Sequence, residues 1–475
     1  MARTRTRRLR RVGGLIAVAT TLVFSAITPP AHATPPITPP THAAPPITPS
    51  ARAAPPEGAI GGAGQPGTVD GSYLVTLEEG VRAPAAGRGI AARYGARISH
   101  TYGTVLNGFA VEATAGQARR LAADPRVVSV VQDTRVALDT TRRTTPPLTA
   151  RTPRTTPPRT TQTPRTTPPR TTQTRRTVPP RTARSGRTAP PRTAPTRQRP
   201  PSWGLDRLDQ AGLPLDGGYS APASAGAGVT VYVIDTGVRI THRDFGGRAS
   251  YGWDFVGGDR GAGDGNGHGT HVAGTVAGTG AGVAKKAKVV SVRVLDSAGA
   301  GTTARVIAGI DWVTRHARKP AVANLSLGGP YSAQLDAAVR ASIRSGVTYT
   351  VAAGNEGRAA ALYSPADVIE AITVGATDRR DVRLAYSNHG SALDLFAPGV
   401  SIVSTAHTSD TGRATWSGTS MAAPHAAGVA ALYLATRPRA TPAQVQRALV
   451  AGATNGKVSG RGPGSPDRLL RVTRP

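Results

Sequence analysis

The stretch GVTVYVIDTG, residues 228–237, decides how the chain is read. It is rich in Val, Ile and Thr without the strict alternation of a half-exposed strand, as expected of a parallel strand covered on both faces. Four more runs share this character: KVVSVRVL (288–295), AVANLSLG (321–328), GVTYTVAAG (346–354) and AITVGAT (371–377). Between them, TARVIAGIDWVTRHA (303–317) and SAQLDAAVRASIRSG (332–346) repeat apolar residues at helical spacing. The pattern predicts an α/β domain with a doubly wound parallel sheet over 202–475, with ligands beyond the carboxyl ends of its strands.

Polar residues collect at those ends. The first strand closes in Asp235-Thr236-Gly237, and the glycine-rich loop GDGNGHGTHVAG (263–274) feeds a helix whose first turn holds His268. AAGNEG (352–357) ends a strand and carries Asn355, while SGTSMAAPHAAG (417–428) places Ser420 at the opening of an apolar helix. Each residue alone has a structural reading. A Ser before a helix is commonly an N-cap, an Asp at a strand end a loop acceptor, and His268 with His271 a candidate metal pair. No H-E-x-x-H pattern completes a zinc site, so His271 is read as structural.

Composition bounds the alternatives. The 475 residues carry 58 Lys and Arg against 27 Asp and Glu, a net +31 that would suggest a polyanion partner if evenly spread. Six Arg fall in 1–11 and fifteen in 141–201, whereas 202–475 holds 28 basic and 19 acidic groups, so the globular part is only mildly basic. No cysteine is present, which removes disulfides and thiol chemistry. Residues 1–33 have an Arg-rich start, an apolar run shorter than a membrane span and a small-x-small site at Ala31–Ala33, as an export signal does, so a secreted protein is expected.

Residues 34–70 form a Pro/Thr/Ala-rich leader expected to be unstructured. Over 71–138 strand and helix patterns alternate: GSYLVTLEEG (71–80), APAAGRGIAARYGA (83–96), VLNGFAVEAT (105–114), AGQARRLAADPRV (115–127) and VVSVVQDTRVAL (127–138). They predict a small α+β domain. Residues 139–201 repeat RTTPP and PPRT, a stretched cationic linker. Anionic cell-surface contact through it stays open beside a plain spacer role; without interleaved aromatics it gives no sign of specific nucleic-acid binding.

The motifs VYVIDTG, DGNGHGTHVAGTVAG, NLSLGG, VAAGNEG and SGTSMAAPHAAG, in this order, resemble the subtilisin-like serine proteases, most closely the proteinase K branch. Residues 72–138 resemble the ferredoxin-like inhibitor propeptide of that family. The resemblance implies a secreted, self-cleaving serine endopeptidase that works by an Asp-His-Ser triad through an acyl-enzyme. Chemistry agrees: a serine hydroxyl needs a base near neutrality, His268 has the right intrinsic pKa, and Asp235 would fix its tautomer. By resemblance, the Asn355 amide and the Ser420 backbone N–H hold the developing oxyanion.

The resemblance also places peptide substrate as an added strand against Ser326, Leu327, Gly328 and Gly329 and against the segment after Leu295, with Ala353 and Gly354 walling the adjoining pocket. Those walls are small and apolar, which implies broad cleavage after apolar or aromatic residues. Thr303 stands where the proteinase K pattern has tyrosine, so a closed aromatic pocket for the more distant substrate residue is in doubt. YSPADVIEAITVG and SALDLFAPG match the family's calcium site, implying a structural Ca2+ held by the Asp394 carboxylate and the carbonyls of Ile369 and Ala371. A monomer is expected, with the propeptide as intramolecular inhibitor and self-cleavage between Ala137 and Thr141.

Overall fold

Every residue of the strand Thr230–Asp235 is buried, as its unbroken apolar character requires. In the computed structural model the described residues are 57–138 and 197–473, and all lie within one compact unit, Pro55–Pro475. The expectations for 1–33, for residues 34–56 of the leader and for 139–196 of the linker fall outside them.

The first part, 57–138, contains β1 (Ile60–Gly61), β2 (Thr68–Leu77), α1 (Ala83–Arg93), β3 (Arg97–Tyr102), β4 (Gly108–Glu112), α2 (Ala115–Ala122) and β5 (Val127–Ala137). Strands pair in the order β1-β5-β2-β4-β3, antiparallel from β5 to β3, with both helices packed against Val75, Phe109, Val111 and Val130. This is the expected ferredoxin-like arrangement, with two differences. β3 (RISHTY) is a strand that polarity concealed, and the leader is shorter than 34–70 because Ile60–Gly61 adds a parallel strand to β5 at Val130–Val131.

The second part holds α3 (Trp203–Leu208), β6 (Thr230–Asp235), β7 (Ala249–Asp254), α4 (His268–Ala277), β8 (Lys288–Arg293), β9 (Ala300–Thr302), α5 (Thr303–His316) and β10 (Ala321–Leu325). It continues through β11 (Gly329–Pro330), α6 (Ala333–Arg344), β12 (Thr348–Ala352), β13 (Tyr363–Ser364), β14 (Ile372–Thr377), β15 (Leu395–Pro398) and β16 (Ile402–Thr405). β17 (Arg413–Trp416), α7 (Thr419–Thr436), α8 (Pro442–Gly452), β18 (Thr454–Asn455) and β19 (Arg468–Leu469) complete it. The linker ends earlier than 201, since Gln198 bridges Tyr219.

The main sheet runs β18-β19-β15-β14-β12-β10-β6-β8-β7 and is parallel from β19 to β7. Along β6 the side chains divide by period two. Val231 and Val233 join the layer of α4, α7 and α8, while Tyr232 and Ile234 face α5 and α6. From β6 the chain builds outward first toward β7 and then, through β10, the other way. The β6/β10 junction is therefore the topological switch point, and the crevice beyond its carboxyl ends is where such sheets bind ligands.

A buried carboxyl and a half-buried one lie together at the start of α6 and in the loop after β13. Asp336, in the first turn of α6, is fully buried, and Asp367 lies against it. Burial, with the neighbouring Asp367 carboxyl, pushes Asp336 from 3.8 up to about 7. A raised carboxyl pKa holds a proton that the unfolded chain releases, so its stabilisation is complete below the ordinary range and is lost as pH climbs toward 7. Asp336→Asn, isosteric with the protonated acid, should therefore raise the melting temperature by roughly 4 °C or more at pH 8 and change it little at pH 4, as read by calorimetry.

Candidate active site

Asp235 ends β6, and Gly237 turns the chain sharply after it. The Asp235 Oδ1 accepts from the Thr236 N–H at 2.7 Å and from the His268 Nδ1–H at 2.8 Å, with both the carboxylate and the ring fully buried. The imidazole is aimed by α4, which has no cap of its own, because Gly267 stands at its N-cap position. Asp264 supplies the missing acceptors. Its Oδ1 takes the N–H groups of Asn266 and Gly267 at 2.9 and 2.8 Å and the Thr236 hydroxyl at 2.9 Å. Its Oδ2 takes the Thr270 N–H at 2.9 Å and hydroxyl at 2.6 Å. Thr236 Oγ1 in turn accepts the Gly269 N–H at 3.0 Å, tying the strand end to the helix start.

Trp416, at the end of β17, lies against both histidines: its ring centroid is 5.4 Å from that of His268, tilted 35°, and 5.4 Å from that of His271, stacked at 11°. His271 pairs through Nε2 with the Ile402 carbonyl at 2.9 Å, and burial pushes its pKa down to about 3. It is a neutral donor in the core, not half of a metal pair.

Ser420 is the second residue of α7, following Gly418 with φ 148° and ψ 171°, a conformation open only to glycine. Its hydroxyl does not reach His268. It donates to the Ser326 carbonyl at 3.1 Å, and the Ser326 hydroxyl donates back to the Ser420 carbonyl at 2.9 Å. The return bond has a cause in sequence. Pro424 lies beyond the first turn and has no N–H, so the Ser420 carbonyl four residues before it lacks its helical partner. Ser326 fills that place and is itself held by Asn324 Nδ2 at 2.9 Å. The His268 Nε2 is buried and accepts no hydrogen bond among the described residues, so the expected Ser420–His268 bond is absent while a better-placed carbonyl holds the hydroxyl.

Asn355 uses its Oδ1 to accept the Thr419 N–H at 2.9 Å, which ties its loop to the first residue of α7. Its loop is shaped by Asn388, which accepts from the N–H groups of Glu356 and Arg358 at 3.1 and 2.9 Å and donates to the Ala353 carbonyl at 2.9 Å. Gly354 joins the same unit by donating its N–H to Thr419 Oγ1 at 3.2 Å.

The edge of this crevice carries a strand. The end of β5 pairs antiparallel with β9, Arg135 opposite Thr302, Val136 opposite Gly301 and Ala137 opposite Ala300. On its other side Ala137 bridges Gly328, while the Leu138 N–H donates to the Gly299 carbonyl at 3.0 Å. Gly299 has φ 80°, a left-handed conformation that residues with side chains rarely adopt, and Leu138 Cδ1 packs against it. Gly329 faces the Arg135 carbonyl, and Val136 enters the buried cluster that holds Leu295 and Leu327. Leu295 itself lies in the core beneath Gly301. The same domain is fastened further out: Asp311 of α5 accepts the N–H groups of Gly103, Thr104 and Val105 at 3.3, 2.8 and 3.1 Å. Asp133 accepts the Ala304 N–H at 3.0 Å, and the Thr134 and Thr303 hydroxyls meet at 2.7 Å.

The three oxygens expected to hold calcium do converge. Ile369 O, Ala371 O and Asp394 Oδ1 lie 2.8, 3.0 and 3.1 Å from one atom, and that atom is the amide nitrogen of Gln446. As arranged, these residues do not fit a cation, because a hydrogen-bond donor occupies the centre of the set.

Sequence reasoning missed Trp416, Asp264, Asn388 and Gln446. Asp264 alone had a signal, an acceptor placed four residues before a helix that starts on glycine.

The subtilase family matches residues 226–469, more than half of the chain, and peptidase inhibitor I9 matches 72–139. The chain belongs to the subtilase family. It is 55% identical over 273 residues to the extracellular serine proteinase of Thermus sp. (strain Rt41A), covering 58% of this chain and 66% of that protein. It is 53% identical over 268 residues to alkaline serine exoprotease A of Vibrio alginolyticus, covering 56% and 49%. The match thus spans from just under half to just under two thirds of these relatives. Among solved structures, a cold adapted subtilisin-like serine proteinase superposes with a TM-score of 0.56 at 51% identity, over 57% of this chain and 98% of that one.

Asp264→Ala would strip the acceptor from five donors around α4. It should cost about 3 kcal/mol or more, measured by urea unfolding, with Asp264→Asn losing less.

Proposed function

We propose that this chain is a secreted serine endopeptidase, made as a precursor whose 71–138 domain blocks the cleft until it cuts itself free. The observation that carries the reading is the strand 135–138, which pairs as a peptide would with 299–302 on one side and Gly328 on the other, two residues from the Ser326 carbonyl that holds Ser420. The extracellular and protease names of the relatives support export and activity.

In the proposed reaction a substrate strand takes the place of 135–138, bonding to Gly299–Thr302 on one side and Gly328 on the other. Rotation about the Ser420 Cα–Cβ bond moves the hydroxyl from the Ser326 carbonyl to His268 Nε2. His268 takes the proton as Oγ attacks the peptide carbonyl, and Asp235 holds Nδ1–H and stabilises the imidazolium. The oxyanion sits between Asn355 Nδ2 and the Ser420 N–H, where the positive end of α7 also acts. The imidazolium then gives its proton to the leaving amine, and water resolves the acyl ester by the same route. Leu327, Ala353 and Gly354 favour apolar or aromatic residues before the cut.

The Ala137–Gly328 pair stands two residues from Ser326, whose carbonyl holds the Ser420 hydroxyl. The first cut is therefore proposed after Asp139. An acid there is tolerated because the tethered strand is presented at high effective concentration, so one unfavourable side chain matters little. A fluorophosphonate should label Ser420. Ser420→Ala should remain an unprocessed precursor when expressed without other proteases, while the active chain acquires an amino terminus at Thr140, read by mass spectrometry. A Ser420→Ala variant that still matures would sink the proposal.

Release of the inhibitor domain is expected to depend on pH. His100 of β3 packs edge-on against Phe255 at 6.0 Å, and burial, then Arg305, push its pKa from 6.5 down to about 4, against a smaller opposing effect of Glu112. A base with a lowered pKa supports the docked state fully above about 6.5 and loses that support as pH falls toward 4. Dissociation of the cleaved domain, followed by recovery of activity, should be faster at pH 5 than at pH 7.5, and His100→Gln should flatten the difference.

A further inference from the structure

The amino ends of β14 and β15 lie at the opposite end of the sheet from the crevice, and their loops must be held together there. Asp394, just before β15, makes two bonds to the Thr373 backbone: its N–H donates to the Thr373 carbonyl at 3.0 Å, and its side-chain Oδ2 accepts the Thr373 N–H at 2.8 Å. The remaining acceptors, Asp394 Oδ1 and the carbonyls of Ile369 and Ala371, point at a common centre. Calcium would take such oxygens at about 2.3–2.6 Å and would need three or more further oxygen ligands.

Gln446 stands at that centre instead. It lies on α8, whose first turn is closed by a Thr441–Gln444 capping box and whose Val445 and Leu449 are buried in the core, so the helix is fixed against the sheet. The neighbour of Val445 is thereby delivered to the loop 369–371. All three partners are acceptors only, which requires the amide nitrogen, with its two N–H groups, to face them. A cation at the same point would meet those protons head-on.

We infer that the Gln446 side-chain amide replaces calcium as the clamp between the loop 369–371 and Asp394, so that this site stays closed without metal. The trade is physical. A neutral amide brings no divalent charge, but it carries no dehydration cost of an ion and is supplied by the chain at fixed concentration. Loss of calcium then costs this junction nothing, while loss of one uncharged side chain opens it.

The test compares melting temperatures of the full-length chain carrying Ser420→Ala, which prevents autolysis, with Gln446 intact, Gln446→Ala and Gln446→Glu, each in chelator and in millimolar CaCl2. In chelator, Gln446→Ala should melt about 4 °C or more below its parent. Gln446→Glu, which sets a carboxylate against three acceptors, should melt lower still or fail to fold. Calcium should close at least half of each gap, since the freed oxygens can then take the ion. Any calcium bound elsewhere shifts all three alike, so only the gaps are read. Equal melting of Gln446→Ala and its parent in chelator would overturn the inference. So would a larger calcium-induced rise in the parent than in Gln446→Ala, because the ion would then have its place with the glutamine present.

Discussion

A carboxylate without exposure at the end of a central strand is the constraint around which this molecule is arranged. Asp235 is tolerable there only because donors converge on it, the Thr236 N–H and the His268 ring among them. Those donors exist only if α4 begins at one place and angle, and the helix begins there because Asp264 collects the N–H groups that a glycine N-cap cannot. The glycines of 263–269 then follow as a condition of close approach. A Cβ on Gly269 would lie 2.1 Å from the Gly237 carbonyl, so the helix could not come close enough for its histidine to meet the aspartate. Trp416 closes the remaining side by lying against the imidazole, which limits the ring to its own plane. A single buried charge has thus fixed a strand end, a helix start, a loop composition and an aromatic neighbour.

The serine side is fixed by a vacancy in hydrogen bonding that the backbone itself creates. Pro424 denies the Ser420 carbonyl its helical donor, and the hydroxyl of Ser326, at the end of β10, takes over. That places the first turn of α7 directly beside the strand end that leads to Gly328, which bridges Ala137. Ser420 and the edge that pairs with the inhibitor-like domain are joined through one pair of serines, so neither can shift without the other. The same carbonyl of Ser326 holds the Ser420 hydroxyl, so one short segment accounts for both oxygens of that serine.

The long-range order of the sheet was legible in the sequence because burial on both faces leaves a compositional mark: five runs of Val, Ile and Thr became β6, β8, β10, β12 and β14. Edge and short strands left no such mark. β7 (ASYGWD) is polar or exposed at several positions, β15 is four residues long, and β3 of the first domain reads as a polar loop. Among the site residues, those at strand and helix ends could be picked out because topology says where to look. Asn388, Trp416 and Gln446 could not, since each acts across the fold on residues between 30 and 148 positions away, and nothing local in SNHG, ATWS or AQVQ distinguishes a partner from a surface side chain.

The parallel sheet also separates what is held from what is offered. Beyond the carboxyl ends, backbone groups of 299–302 and 328 are paired with a strand from another domain, an arrangement that any extended peptide could reproduce because it uses main-chain groups alone. Specific fastening of that domain lies elsewhere, in carboxylates that accept main-chain N–H groups: Asp311 from 103–105, and Asp133 from the first turn of α5. Because those anchors belong to α5 and to the inhibitor-like domain, a peptide that filled the cleft would share none of them. The domain can therefore bind far better than its own last four residues do as a strand, and cutting the chain after those residues removes the tether while leaving the anchors intact. A domain anchored this way would stay docked after such a cut, held by the interface over α5 and Phe255 and not by the geometry of the crevice.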